Sequence, residues 1–180
     1  MSSELKLAVT ARDHVEGRAD APVTLLEYGD YECPFCGMAY SVVKALQRRF
    51  GPRVRFVFRN FPLTEVHPNA ELAAEAAEAA GAQGKFWQMH DELYEHQRAL
   101  GAGDLAGYAA EAGVDLPRWQ RDVASRSYAP RVREDFMSGV RSGVPGTPAF
   151  FVNGAAYEGA FDYASLEAAI EAALAREGHA

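Results

Sequence analysis

The sequence predicts an α/β fold in which a strand-and-helix framework is interrupted by an all-helical insertion. Three observations carry the prediction. Between Phe35 and Phe50 apolar residues recur at three- and four-residue steps, with a short β-branched or aromatic run on either side. For roughly seventy-five residues from His67 there is no convincing strand, and the strong helix formers Ala and Glu are abundant. Strand character returns at Ala149, followed by an Asn-Gly turn and one more amphipathic stretch.

Residues 1 to 20 are polar and mixed, a lead-in expected to hold one short edge strand. Val23-Thr24-Leu25-Leu26-Glu27-Tyr28 is apolar and β-branched enough for a buried strand, which ends at Gly29-Asp30. Phe35, Met38, Ala39, Val42, Val43, Leu46 and Phe50 form the stripe of a helix that stops at Gly51-Pro52. Val54, Phe56 and Phe58 alternate with Arg55, Val57 and Arg59 in a second strand ending near Asn60-Phe61-Pro62. Pro68 suits a first helical position, Glu71 to Ala80 continues as helix until Gly81 and Gly84, and Lys85 to Gln97 carries another. Asp104 is expected to cap a short helix stopping at Gly113, and Pro117 to open one bearing Trp119 and Val123. Ser127 to Ser142 forms the last helix before Gly143.

Ala149 to Val152 and Ala155 to Glu158 flank Asn153-Gly154. Both turn residues tolerate positive φ, so the pair predicts a hairpin. Asp162 can cap a final helix with Tyr163, Leu166, Ile170 and Leu174 on one stripe. The expected division is residues 1–62 and 144–180 for the framework and 63–143 for the insertion.

A chain of 180 residues, 48% hydrophobic and 24% charged, can bury a substantial core and shows no compositional sign of disorder. A formal charge of -7 argues against general affinity for nucleic acid, which needs a basic footprint. The first ten residues lack the basic start and apolar run of a secretory signal, and no stretch approaches membrane-spanning length. A soluble, cytoplasmic monomer with no membrane partner is expected. Gly37 to Asn60 holds six basic residues, Lys44, Arg48, Arg49, Arg53, Arg55 and Arg59, and no acid. They are read as a solvated helix end and strand edge.

The chemistry lies in Cys33-Pro34-Phe35-Cys36, which contains both cysteines of the chain. A disulfide between them closes too small a loop to staple a fold of this size, so a reactive pair is expected instead. Cys33 stands where the helix begins, and there the unpaired N–H groups and the helix dipole favour a thiolate. Pro34 at the first helical position costs no hydrogen bond and leaves the Cys33 sulfur exposed. Cys36, one turn further in, is more sheltered and suited to resolve a mixed disulfide. Glu27 is either a buried acid whose raised pKa suits it to take the proton of Cys36, or a residue facing solvent. Gly143-Val144-Pro145-Gly146-Thr147-Pro148 reads as a rigid loop ahead of the hairpin.

These features together, the Cys33-Pro34-Phe35-Cys36 motif between strand and helix, Glu27 six residues before it, the helical insertion and Gly146-Thr147-Pro148 before a hairpin, resemble the DsbA family of the thioredoxin superfamily over residues 22 to 176. The resemblance implies a four-stranded thioredoxin core with a helical domain inserted in it, and thiol-disulfide exchange without a bound cofactor or metal. It makes Cys33 the nucleophile, Cys36 the resolving cysteine, Glu27 the buried acid and Pro148 a cis-proline. Thr147 lies against the dithiol and pairs through its backbone with an extended peptide, while Pro34 and Phe35 shape the site. Protein or peptide thiols and disulfides are the implied substrates, and glutathione or a thioredoxin-type system the implied recycling partner. The best-known periplasmic oxidant of the family has His where Phe35 stands. Phe35 cannot donate a hydrogen bond, so a less extreme thiolate and a less oxidising couple are expected here.

Two other readings fit parts of the pattern. A lone C-x-x-C is also half of many zinc sites, with His14, His67, His90 and His96 as candidate further ligands or, alternatively, as surface and packing residues. In a related version two chains bridge a metal ion or an iron-sulfur cluster through one cysteine each. The second reading is a chaperone-like peptide-binding module in which Phe35, Phe61, Phe86, Trp87 and Tyr94 line a groove; otherwise these rings pack in the core.

Overall fold

The structure, a computed structural model, describes residues 4–178. Among them β1 (His14–Glu16), β2 (Val23–Gly29), β3 (Val54–Asn60), β4 (Ala149–Val152) and β5 (Ala155–Tyr157) form one sheet in the order β1-β3-β2-β4-β5. β2 runs parallel to β3 and antiparallel to β4, while β1 and β5 are antiparallel edges. The last four strands in that order make a thioredoxin-like sheet, and β1 adds a fifth strand from the lead-in.

Helix α1 (Pro34–Phe50) connects β2 to β3, the crossover that a parallel pair requires. Helices α2 (Ala70–Gly81), α3 (Phe86–Glu95), α4 (Ala102–Glu111), α5 (Leu116–Ala124) and α6 (Ala129–Arg141) stand between β3 and β4, and α7 (Tyr163–Glu177) follows β5. The central strands are buried on both faces. Val23, Leu25, Phe56, Phe58, Phe150 and Val152 share one core with α1 and the inserted helices, whereas Leu26, Tyr28, Val57, Phe61 and Phe151 fill the opposite face. Because side chains alternate along a strand, Glu27 lies on the first face, the one that α1 covers.

Local chemistry accounts for most boundaries. Pro34 opens α1, and Arg48 and Arg49 sit in its last turn, where cations complement the helix dipole. Asn153 (φ 48) and Gly154 (φ 83) make the β4–β5 turn in the left-handed conformations an Asn-Gly pair accepts. The Asp162 carboxylate accepts the Ser165 N–H and caps α7.

Three expectations are corrected. Pro68 does not open α2, which starts at Ala70, because Glu32 accepts both the backbone and side-chain N–H of Asn69 and ties that turn to the cysteine segment. Asp104 is not a cap; α4 begins after Gly101, and Asp104 falls within its first turn. Arg59 is not on a solvated edge but 1% exposed, with its guanidinium bound to both Asp13 carboxylate oxygens (2.7 and 3.1 Å), the Leu7 and Ala8 carbonyls and the Tyr28 hydroxyl. The lead-in supplies partners that strand alternation cannot reveal.

Candidate active site

The site sits where β2 ends and α1 begins. Gly29 and Asp30 turn the chain, the Asp30 carbonyl accepts the Cys33 N–H, and Cys33 occupies the N-cap position with an extended backbone. No cap side chain takes the first free N–H groups of α1, so they remain available to the sulfur of Cys33. The Asp30 carboxylate holds the turn from behind. It accepts the Glu32 N–H, the Leu63 N–H and His67 Nδ1, each at 2.8 Å.

Both cysteines are free thiols and both are buried. The expectation of an exposed Cys33 sulfur is therefore corrected: the residue is 3% exposed, because the Thr147–Pro148 loop and Gln97 close over the start of α1. The Cys33 thiol reaches the Thr147 carbonyl oxygen at 3.5 Å, and the Thr147–Pro148 peptide bond is cis. Two loops more than a hundred residues apart in sequence thus meet at one sulfur. Phe35, by contrast, is 58% exposed, with its ring edge-on to Phe161, and Phe161 lines a hollow of about 400 Å³ with Met38, Val42, Ala160, Asp162 and Tyr163.

The two thiols are displaced in opposite directions. A hydrogen bond from the Cys36 thiol, outweighing the opposing effect of burial, then Thr147 and the Cys36 and Phe35 backbone N–H groups, bring Cys33 down to about 5. The Thr147 hydroxyl is buried without another partner among the described residues, which leaves it free to serve a thiolate. Burial pushes Cys36 well above the usual thiol range, and its hydrogen bond to Cys33 and the negative charge of Glu27 add to the rise. The expectation of a less extreme thiolate without a histidine between the cysteines meets a Cys33 still held far below an ordinary thiol, and the donors responsible are the Cys36 thiol, Thr147 and backbone N–H groups rather than the side chain of residue 35.

Glu27 is 2% exposed, between Phe58 and Phe150 of the flanking strands. Of its two readings the structure selects the buried acid. Burial brings its carboxyl up to about 8, and the charge of Cys33 contributes further. Its Oε1 has no hydrogen-bond partner among the described residues, and neither does the buried hydroxyl of Tyr94, which feels the charges of Cys36 and Glu27. Of the candidate groove aromatics, Phe61, Phe86 and Tyr94 are buried and Trp87 packs against the core, leaving Phe35 at the surface.

The histidines are placed elsewhere. His90 is buried in a ring cluster with Tyr31, Phe58, Trp87 and Tyr94, and burial holds it in the neutral form. His14 stacks on Phe86 and pairs with Glu78, His67 bonds Asp30, and His96 stacks on Tyr108. No group of three or more His, Cys, Asp or Glu residues among the described residues is arranged to hold a metal ion.

Asp30 and Gln97 carry no site signal in the sequence reading, and Tyr94, read there as a candidate groove aromatic or core ring, instead brings its hydroxyl near the dithiol. Gln97 has no sequence signal, since it lies just past a helix in the insertion. Gly37 did carry one: a lone glycine inside a strong helical pattern usually has a packing reason.

Comparison with known proteins follows the same geometry. A family model described as Thioredoxin matches residues 9–172. BdbD from Bacillus subtilis superposes with a TM-score of 0.85 at 26% identity, covering 96% of this chain and 97% of that one. A thioredoxin-like oxidoreductase from Silicibacter pomeroyi gives a TM-score of 0.80 at 29% identity, covering 95% of each. A relative named as Na(+)/H(+) antiporter NhaA 1 of Salinispora arenicola is 50% identical over 164 residues, 91% of this chain and 25% of that protein. The chain spans about a quarter of the length of the curated relatives it matches. A cis-proline loop facing a Cys-Pro-Phe-Cys helix start, on a five-stranded sheet with helices between β3 and β4, together with these matches, places the chain in the thioredoxin family as a DsbA-like member.

Proposed function

We propose that this chain is a protein thiol-disulfide oxidoreductase in which Cys33 is the nucleophile, Cys36 the resolving thiol and Glu27 the proton acceptor. One observation carries the reading: at a single helix start one thiol is held down near 5 while its neighbour is held high beside a buried carboxyl. The Cys33 thiolate attacks a substrate disulfide, forming a Cys33–substrate bond and expelling one substrate thiolate. Cys36 then loses its proton to the Glu27 carboxylate and attacks the Cys33 sulfur. That step closes the Cys33–Cys36 disulfide and releases the second substrate thiolate. Two electrons pass to the substrate, and a thiol donor such as glutathione or a thioredoxin-type system returns them. With the opposite driving force the same steps run backwards and oxidise a substrate dithiol.

Residue 35 bears on which direction dominates. The side chain of Phe35 donates no hydrogen bond to a thiolate, which supports a couple poised for a reducing compartment, and the cytoplasm is the location proposed with it. The substrate peptide would lie along the Thr147–Pro148 loop, with its side chains against the exposed Phe35 and the hollow of Met38, Val42 and Phe161 beside it. Insulin-disulfide reduction tests the assignment. Cys33→Ala should abolish turnover, and Cys36→Ala should accumulate mixed disulfides detectable as mass adducts on Cys33. Full turnover by Cys33→Ala would refute it. The Cys33/Cys36 potential measured in glutathione buffers tests the direction separately, and a strongly oxidising value would overturn the cytoplasmic reading.

A further inference from the structure

We infer that Gln97 is a positioning residue for the dithiol, holding the backbone on both sides of Cys33 from the end of α3, and that Gly37 lacks a side chain because the Gln97 amide occupies that space. The inference rests on the thiol-exchange reading above. The Gln97 Nε2 donates to the Tyr31 carbonyl and to the Cys33 carbonyl, both at 2.8 Å, so its two hydrogens bracket the cysteine. The Cys33 carbonyl also accepts the Gly37 N–H at 3.1 Å, the first helical bond of α1. Pro34 has no N–H, so hydrogen bonds can hold the Cys33–Pro34 peptide plane only through that carbonyl. Among the described residues, Gln97 and Gly37 are the groups that hold it.

Gly37 makes the dependence specific. Its backbone is not left-handed, so conformation does not call for glycine, and a glycine inside a helix is otherwise unfavourable. A Cβ built there would fall inside the Gln97 side-chain amide, meeting Oε1 and then Cδ. The Phe35 and Cys36 N–H groups that stabilise the Cys33 thiolate belong to the turn whose first plane is pinned in this way. If the pin is removed the turn can rotate, and those donors lose their aim. Gln97 therefore couples the inserted helices to the reactivity of Cys33.

The test is the pH dependence of Cys33 alkylation by iodoacetamide in the fully reduced protein, mapped by peptide mass, for wild type, Gln97→Ala, Gly37→Ala and the double variant. Gln97→Ala should raise the alkylation midpoint by about half a pH unit or more, roughly a threefold loss of thiolate below the midpoint. Gly37→Ala, by displacing the amide, should shift it in the same direction. The double variant should shift no further than the larger single change, because both act through one contact. Gln97→Met, which keeps the length and loses the donors, should behave as Gln97→Ala and guards against misfolding of the smaller variant. An unmoved midpoint in both Gln97 variants, or shifts that add in the double variant, would overturn the inference. The alkylation midpoint does not depend on substrate turnover, so an inactive wild-type enzyme would instead count against the exchange reading.

Discussion

Glu27 turns a strand position into chemistry. Held between Phe58 and Phe150 with a carboxyl near 8, it is mostly protonated at neutral pH and becomes a proton acceptor as pH rises. Single-turnover release of a mixed disulfide should therefore accelerate between about pH 7 and 9 in the wild type. Glu27→Gln should lose that rise and slow the step on the order of 10²-fold at pH 8. A stopped-flow pH profile unchanged by the substitution would remove Glu27 from the mechanism. The same residue has a stability signature. Its folded value lies above the unfolded one of 4.5, so the folded chain binds the proton more tightly, and stability falls as pH climbs from 4.5 to about 8. Glu27→Gln should thus gain on wild type in thermal midpoint as pH rises over that window, by on the order of a few kcal/mol in total. Both thiols were legible in the sequence because their spacing at a strand–helix junction is local, whereas the residues alone left Glu27 open between a buried acid and a solvent-facing one. Gln97, Asp30 and the Tyr94 hydroxyl were not legible, since they arrive through hydrogen bonds or packing from other elements.

Among the elements, β2, α1, β3 and the β4–β5 hairpin follow from periodicity and turn residues, and their ends follow from Gly, Pro and Asn-Gly signals. α2 did not start at Pro68, nor was α4 capped by Asp104. A cap is worth roughly 1 kcal/mol, less than a network such as Glu32 binding Asn69 can impose. β3 shows the other limit. Its alternation predicts two faces, but not that the second face is covered by a lead-in whose Asp13 neutralises Arg59. Asp13→Ala should leave that guanidinium buried without its counter-charge and cost about 3 to 5 kcal/mol in denaturant unfolding. Asp13→Asn, which keeps one acceptor, should cost less. A loss under about 0.5 kcal/mol for Asp13→Ala, the level of an ordinary surface substitution, would show that the pair does not anchor the lead-in.

At the scale of the whole molecule, redox state and folding are linked through Cys33. In the reduced protein its pKa lies below the unfolded value of 9.0, so the stability it contributes is fully present above that value and is lost as pH falls toward 5. Oxidation removes the titrating thiol altogether. The thermal midpoint of the reduced form should therefore rise relative to the oxidised form between about pH 5 and 9, with an upper bound of a few kcal/mol. Paired thermal scans of both forms across that range test this, and a difference independent of pH would contradict the low Cys33 value. No helix of the described residues is long and apolar enough to cross a membrane. The sheet carries a hydrophobic core on each of its two faces, and Cys33 belongs to the one that α1 covers.

The sequence by itself determined the α/β order, the helical segment between two strand groups and the identity of the reactive pair, because each depends on residues within one or two turns of one another. Only the tertiary structure decided that Cys33 is covered rather than exposed, that Glu27 faces α1 in a closed core, that Arg59 is buried and that Gln97 grips the start of α1. Burial and hydrogen-bond partners come from elements tens of residues away. They shift a pKa or fix a peptide plane through desolvation and direct contact, and neither is encoded in local periodicity.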